Sequence, residues 1–187
     1  MATDVQICSN ALMLLGAAPI ASLSEPGSRA AVICSNVYPL ARQDVLRRHN
    51  WNCGVTRVVL APLAEKPAFD WAHQFTKPGD WLRLIQIGRL GQLPDYEFAG
   101  NRILSNLASL PLVYMAEVDE GRWDALLTGV MVKRMVADLA YPITKSTSLA
   151  EMRGAEYREA LQIAKGVDAQ ENPPEDWGDS PLISVRG

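Results

Sequence analysis

Cys53 and His49 are the residues of this chain whose types and spacing come nearest to a reaction. They stand four apart in the stretch RRHNWNCGVTR, residues 47–57, so on one helix they would share a face. An imidazole beside a thiol is how a nucleophilic cysteine is activated. Such a site needs an accessible thiol, an imidazole within hydrogen-bond reach and a third group to orient it. The same residues have a structural reading. Arg47, Arg48 and His49 would close a long helix, where cations meet the negative end of the helix dipole. Asn50, Asn52 and Gly54 would then be exit residues and Trp51 a core plug. A second chemistry is open to the carboxylates Asp70, Asp80, Asp95, Glu97, Glu117, Asp119 and Glu120, which could include a glycosidase-like acid and base. No spacing in the sequence fixes the separation that this chemistry requires, and Asp and Glu are mostly solvated.

Other chemistries are poorly supplied. His49 and His73 are the only histidines, and neither belongs to an H-E-x-x-H pattern. Cys8, Cys34 and Cys53 are an odd set without C-x-x-C spacing, which argues against a disulfide framework and a zinc knuckle; they read as reduced, mostly buried thiols. GRLGQLPDYEFAG has glycines but no G-K-[ST] and no following helix, so no phosphate cradle is indicated. The residues therefore assign no catalytic group, no metal and no cofactor. With 18 Lys+Arg against 21 Asp+Glu and a net charge of -3, the chain has no footprint for sequence-specific DNA binding. ALMLLGAAPIA is broken by Gly16 and Pro19 well short of a membrane span, and no basic flank precedes it. A soluble, non-secreted protein with no membrane partner is expected.

The elements that must position these residues follow from periodicity. Val5, Cys8, Leu12 and Leu15 mark a helix over 4–15, capped by Thr3 or Asp4 and stopped by Gly16. A second helix over 28–49 repeats apolar positions at Val32 or Ile33, Val37, Leu40 or Ala41 and Val45, with Pro39 kinking it without ending it. After Trp51 the period drops to two, and GVTRVVLAPL reads as a strand. AFDWAHQF, WLRLIQIGRL, YEFAGNRILSN and PLVYMAEV continue the pattern between Pro67, Pro78-Gly79, Pro94 and Pro111, which predicts an antiparallel sheet over about 54–118. Gly100-Asn101 predicts a tight hairpin, because both residues tolerate positive φ. Helical spacing returns over 122–144, with Trp123, Leu126 or Leu127, Val130, Met131, Met135 and Leu139 inward, Asp119 as the cap and Pro142 at or just beyond the end. The last helix, 147–170, points Leu149, Met152, Tyr157, Leu161 and Ile163 or Ala164 inward.

The fold class is therefore α+β: a helical bundle from the N- and C-terminal helices, with an inserted antiparallel sheet. Residues 1–171 form a single domain. Residues 172–187, NPPEDWGDSPLISVRG, form an extended tail, too rich in proline and glycine to prolong the helix and too poor in apolar residues to fold alone. The five tryptophans, at 51, 71, 81, 123 and 177, read as core or interface anchors. Trp177 has no core of its own.

Taken together, ICSNALMLLGAAPIASLSE, RQDVLRRHNWNCGVTRVVLA, PGDWLRLIQI, YEFAGNRILSN, PLVYMAEV and WDALLTGVMVKRMVADLAYPIT resemble, in order and spacing, the tail tubular protein A family of short-tailed bacteriophages. Members of that family are also called head-to-tail adaptors or connectors. The resemblance spans residues 5 to about 171; Cys53 departs from it, where small or aromatic residues are expected. It implies a virion structural protein and no enzyme, a dodecameric ring joining the portal protein to the tail nozzle protein. Genomic DNA would pass through the lumen without sequence-specific contacts. The implied location is the neck and tail of the virion, and the host cytoplasm before assembly. An extended segment with one aromatic and a short β-forming run can order on a partner, so Trp177, Leu182, Ile183 and Val185 are the expected contacts to the portal or a neighbouring subunit. The rival readings are a cysteine- or carboxylate-dependent hydrolase, such as a cell-wall-degrading enzyme, and a monomeric regulatory adaptor.

Overall fold

Thr3 opens the first helix with a reciprocal cap: its hydroxyl accepts from Gln6 N at 3.2 Å and its own N–H donates to Gln6 Oε1 at 3.2 Å, satisfying two donors that a helix start leaves orphaned. The computed structural model describes residues 2–89, 91 and 94–171. The tail assignments Trp177, Leu182, Ile183 and Val185 lie outside the described residues. Helix α1 spans Asp4–Leu14 and buries Ile7, Cys8, Ala11 and Leu12; Gly16, at φ +75°, follows its end. Helix α2, Arg29–Arg47, is capped by Ser28 and runs through Pro39 without ending. Its inward stripe is Cys34, Tyr38, Ala41 and Val45, so of the sequence alternatives Ala41 faces in. Val32 and Leu40 face out, and Leu40 is 72% exposed.

Among the described residues four α-helices and two antiparallel three-stranded sheets give a mixed α+β class. The strands are β1 (Val55–Leu60), β2 (His73–Thr76), β3 (Trp81–Ile87), β4 (Tyr96–Ala99), β5 (Arg102–Ser105) and β6 (Leu110–Ala116). The expected single sheet is resolved into two, ordered β1-β6-β3 and β2-β5-β4. Strand β6 is nearly all buried and sits between two partners. Pro111 lies inside this central strand rather than ahead of it. It is tolerated near the strand end, where its carbonyl accepts from Gly88 N at 2.9 Å and no further ladder donor is required of it. The hairpin between β4 and β5 has the expected two-residue turn, with Ala99 opposite Arg102. Gly100 takes φ +56° and Asn101 does not take a positive value, the requirement of a type II′ turn and not of a type I′ turn.

Helix α3, Ala125–Thr144, starts later than its periodicity predicts. Asp119 caps nothing with its side chain; it precedes a 3-10 turn, Glu120–Arg122. Trp123 is extended and core-packed, and Asp124 is the cap, with its Oδ1 accepting from Leu127 N at 2.6 Å. Pro142 falls within α3, whose end is set by Lys145 at φ +61°. Helix α4, Thr147–Glu171, buries Tyr157, Leu161, Ala164 and Asp168. Met152 is exposed instead of inward, and of the alternatives Ile163 and Ala164 it is Ala164 that faces in. The packing centre is α3, against which α1, α2 and α4 all lie. Among the described residues no helix is long and apolar enough to cross a membrane.

Candidate functional site

The stretch 47–57 leaves α2 at Arg47 and enters β1 at Val55, so its residues sit in a loop and not on one helix face. His49 does not turn to Cys53. Its Nε2 lies 2.9 Å from Asp168 Oδ2, on the last turns of α4. The same carboxylate accepts from Asn52 N at 3.1 Å, and Asn52 Nδ2 donates to the Asp168 carbonyl at 2.7 Å. Asp168 is 5% exposed, so these contacts satisfy a charge that burial would otherwise make costly. Trp51 is buried with its indole N–H donating to Val45 O at 3.0 Å, and His49 meets its ring edge-on at 4.9 Å. The loop is thereby fastened at both ends, to α2 through Trp51 and to α4 through Asp168.

Cys53 is half-buried. Burial first, then Asp124 and Asp168, push its thiol up to about 11, with Arg122 opposing. A thiol in that state carries little thiolate at neutral pH, the reverse of an activated nucleophile. Its backbone is used instead: the Cys53 carbonyl accepts from Arg122 Nη2 at 3.0 Å. Cys8 and Cys34 are fully buried between α1 and α2, and the neighbouring Cys34 thiol together with burial holds Cys8 protonated.

The carboxylates selected from the sequence do not converge as an acid and base. Glu117, Asp119 and Glu120 gather around one cation, Arg42 of α2, at 2.6, 3.6 and 3.0 Å. Tyr38 OH donates to Glu120 Oε1 at 2.7 Å, and its ionisation is pushed up by burial and by that carboxylate. Asp80 accepts from Tyr114 OH at 2.9 Å, and Glu97 from the Trp71 indole at 3.1 Å. Asp70 is exposed at φ +64°, and Asp95 takes part through its carbonyl, which accepts from Ser105 Oγ. The groups thus fasten loops to helices and strands. Among the described residues no group of three His, Cys, Asp or Glu side chains could hold a metal ion.

Asp168 and Arg42 are the residues that sequence reasoning passed over. Asp168 had a readable signal: it follows Leu161 and Ala164 on the inward stripe of α4, where a charge demands a partner. Arg42 had none, since its three carboxylates are more than seventy positions away.

Among the described residues several large apolar side chains are exposed, Met13, Leu14, Val59, Phe69 and Tyr141 among them, and two sets lie on helices that flank α3. One is on α2, at Val32 and Leu40. The other lies where α4 meets α3, at Leu126, Ile163 and Val167, with a cleft of about 310 Å³ lined by Leu126, Gly129, Ala160 and Ile163 among others. Both α2 and α4 pack on α3. No protein-family model and no curated protein matches this sequence.

Proposed function

We propose that the chain is a structural subunit of the neck of a short-tailed bacteriophage, a head-to-tail adaptor that forms a dodecameric ring between the portal protein and the tail nozzle protein. The observation that carries this reading is the pair of exposed apolar surfaces on different helices, α2 and α3/α4. A ring is built from heterologous contacts, in which one patch of a subunit meets a different patch of the next, and exposed apolar residues on two different helices could supply the two halves of such a junction. The resemblance in sequence supplies the family, and the mixed α+β class is compatible with a helical part packing around the ring and a β-rich part meeting the tail.

Charge supports the same reading. A conduit must let DNA slide, and a chain of net charge -3 does not grip phosphates as a basic one would. The tail residues Trp177, Leu182, Ile183 and Val185 are the contacts to the portal or the next subunit. Electron microscopy of the protein mixed with its portal tests the reading, with dodecameric rings capping the portal as the expected result. Particles that remain monomeric beside undecorated portals would overturn it. Removal of residues 172–187 is expected to weaken portal attachment, and undiminished attachment would remove the tail from the interface.

A further inference from the structure

Three cations meet two aromatic rings where the two sheets and α2 come together. Arg47 ends α2, Lys77 lies in the link from β2 to β3, and Trp81 and Arg83 are on β3; Phe98 comes from β4 of the other sheet. With Leu82 and Leu84 they line a cleft of about 390 Å³. Lys77 Nζ stands 4.5 Å from the Phe98 ring centroid and 5.9 Å from that of Trp81. The Trp81 and Phe98 rings are edge to face at 6.0 Å, and Trp81 stacks on Tyr114 behind it at 5.4 Å.

Among the described residues none of Arg47, Lys77 and Arg83 is in an ion pair, whereas Arg42, Arg48, Arg134 and Arg153 each have a carboxylate. Arg47 donates to the Leu82 carbonyl and Arg83 to Asn50 Oδ1, while Arg83 Nε is buried without an acceptor. Burial and the neighbouring Arg47 lower the Arg83 pKa, as expected where two guanidiniums face each other unscreened. The nearby Asp80 carboxylate is bonded to the Tyr114 hydroxyl. The cleft is therefore suited to a ligand with several carboxylates around an aromatic ring.

The chain carries such a segment. Glu175, Asp176 and Asp179 surround Trp177 in PPEDWGDSP. That segment starts close by: Asp168, one turn before the end of α4, is bonded to Asn52, and Arg83 is bonded to Asn50 of the same loop. Six residues lead from Glu171 to Trp177, a reach of at most about 20 Å when extended. We infer that the cleft formed by Arg47, Lys77, Arg83, Trp81 and Phe98 is the seat of the chain's own segment Glu175–Asp179, with the Trp177 indole against Trp81 and Phe98 and the three carboxylates on the three cations. Docked there, Trp177 is held back in the free chain while Leu182, Ile183 and Val185 stay available to a partner. This assignment is independent of the ring reading, since it concerns one chain alone.

The test uses the full chain carrying Ser180→Cys with a nitroxide label and 15N in the tryptophan indoles. Cys8 and Cys34 are buried and the half-buried Cys53 is replaced by Ser, so the new thiol is the one labelled. The Trp81 indole signal is expected to lose most of its intensity while Trp123, in the core, keeps its own; Trp177, beside the label, is the positive control. High salt, which screens exposed charges, is expected to restore the Trp81 signal, as are Lys77→Gln and the triple variant Glu175→Gln, Asp176→Asn, Asp179→Asn. A Trp81 signal unaffected by the label would overturn the inference. So would a loss of the same size when spin-labelled 14N chains are mixed with unlabelled 15N chains, which would make the occupant a neighbour's tail. A DNA oligonucleotide that shifts Trp81 equally with and without the three tail carboxylates would mark the cleft as a nucleic-acid site and overturn it as well.

Discussion

At the scale of single residues, the loop between α2 and β1 is held by Asp168, and removing that side chain exposes the claim. Asp168→Ala leaves the Asn52 N–H without the acceptor it has at 3.1 Å and takes from His49 its partner at 2.9 Å. A fully buried donor left unpaired costs roughly 1–3 kcal/mol and Asn52 is half-buried, so urea unfolding is expected to show a loss at the lower end of that range; no change would mean that the loop is held by Trp51 alone. Cys53 yields a pH dependence. Its thiol titrates near 9.0 in the unfolded chain and near 11 in the folded one, so the native state binds more protons between those values. The stability it contributes is fully present below about pH 9 and is lost as pH rises towards 11. Unfolding midpoints measured across that window are expected to fall, and to fall less steeply for Cys53→Ser. The sequence showed that His49 and Cys53 were near a helix end, and the position of Trp51 told which reading to prefer. It could not show that the imidazole would meet a carboxylate far along the chain, because pairing at long separation leaves no local period.

At the scale of elements, most boundaries were written in the chain, since caps and changes of period are local. Thr3, Ser28 and the Gly100 turn act where their types suggest. The miss at α3 is instructive: Asp119 and Asp124 are both acceptable caps, and the choice between them was made by Trp123, whose burial requires an extended residue between the 3-10 turn and the helix. Asp124→Ala is accordingly expected to destabilise the protein by about 0.5–2 kcal/mol, and Asp119→Ala by less, in parallel denaturant titrations. Gly54 marks the entry to β1 by space rather than by dihedral angle. A Cβ there would lie 2.2 Å from Met115 Cε and 3.3 Å from the Ala116 carbonyl, and Met115 is fully buried in the central strand β6. Overpacking of this kind costs about 1–3 kcal/mol, so Gly54→Ala should lower the melting temperature, and a neutral variant would show that Met115 repacks freely. The helix faces were less legible than the helix limits. Leu40 against Ala41, or Ile163 against Ala164, differ by a fraction of a turn, and only the partner helix decides which of them is covered.

At the scale of the whole molecule, those same outward-turned residues bear on assembly. Leu40 is 72% exposed on α2 and Leu126 is 42% exposed on α3, so neither contributes much to the core and a charge at either site should leave stability nearly unchanged. In a ring made of heterologous contacts, Leu40→Glu spoils one half of every junction and Leu126→Glu the other half. Each variant alone is then expected to stay monomeric in the presence of portal, with an unaltered melting temperature, because every junction it could form contains the charged face. Mixed, the two have one intact face each, and these belong to the same junction. The mixture is therefore expected to give a one-to-one heterodimer in native mass spectrometry and nothing larger. Had the surfaces paired with themselves instead, each variant would dimerise alone through its untouched patch and mixing would add nothing. Rings that form normally from either variant would show that both surfaces lie outside the junction, and would leave the proposed assembly without the contacts on which it rests.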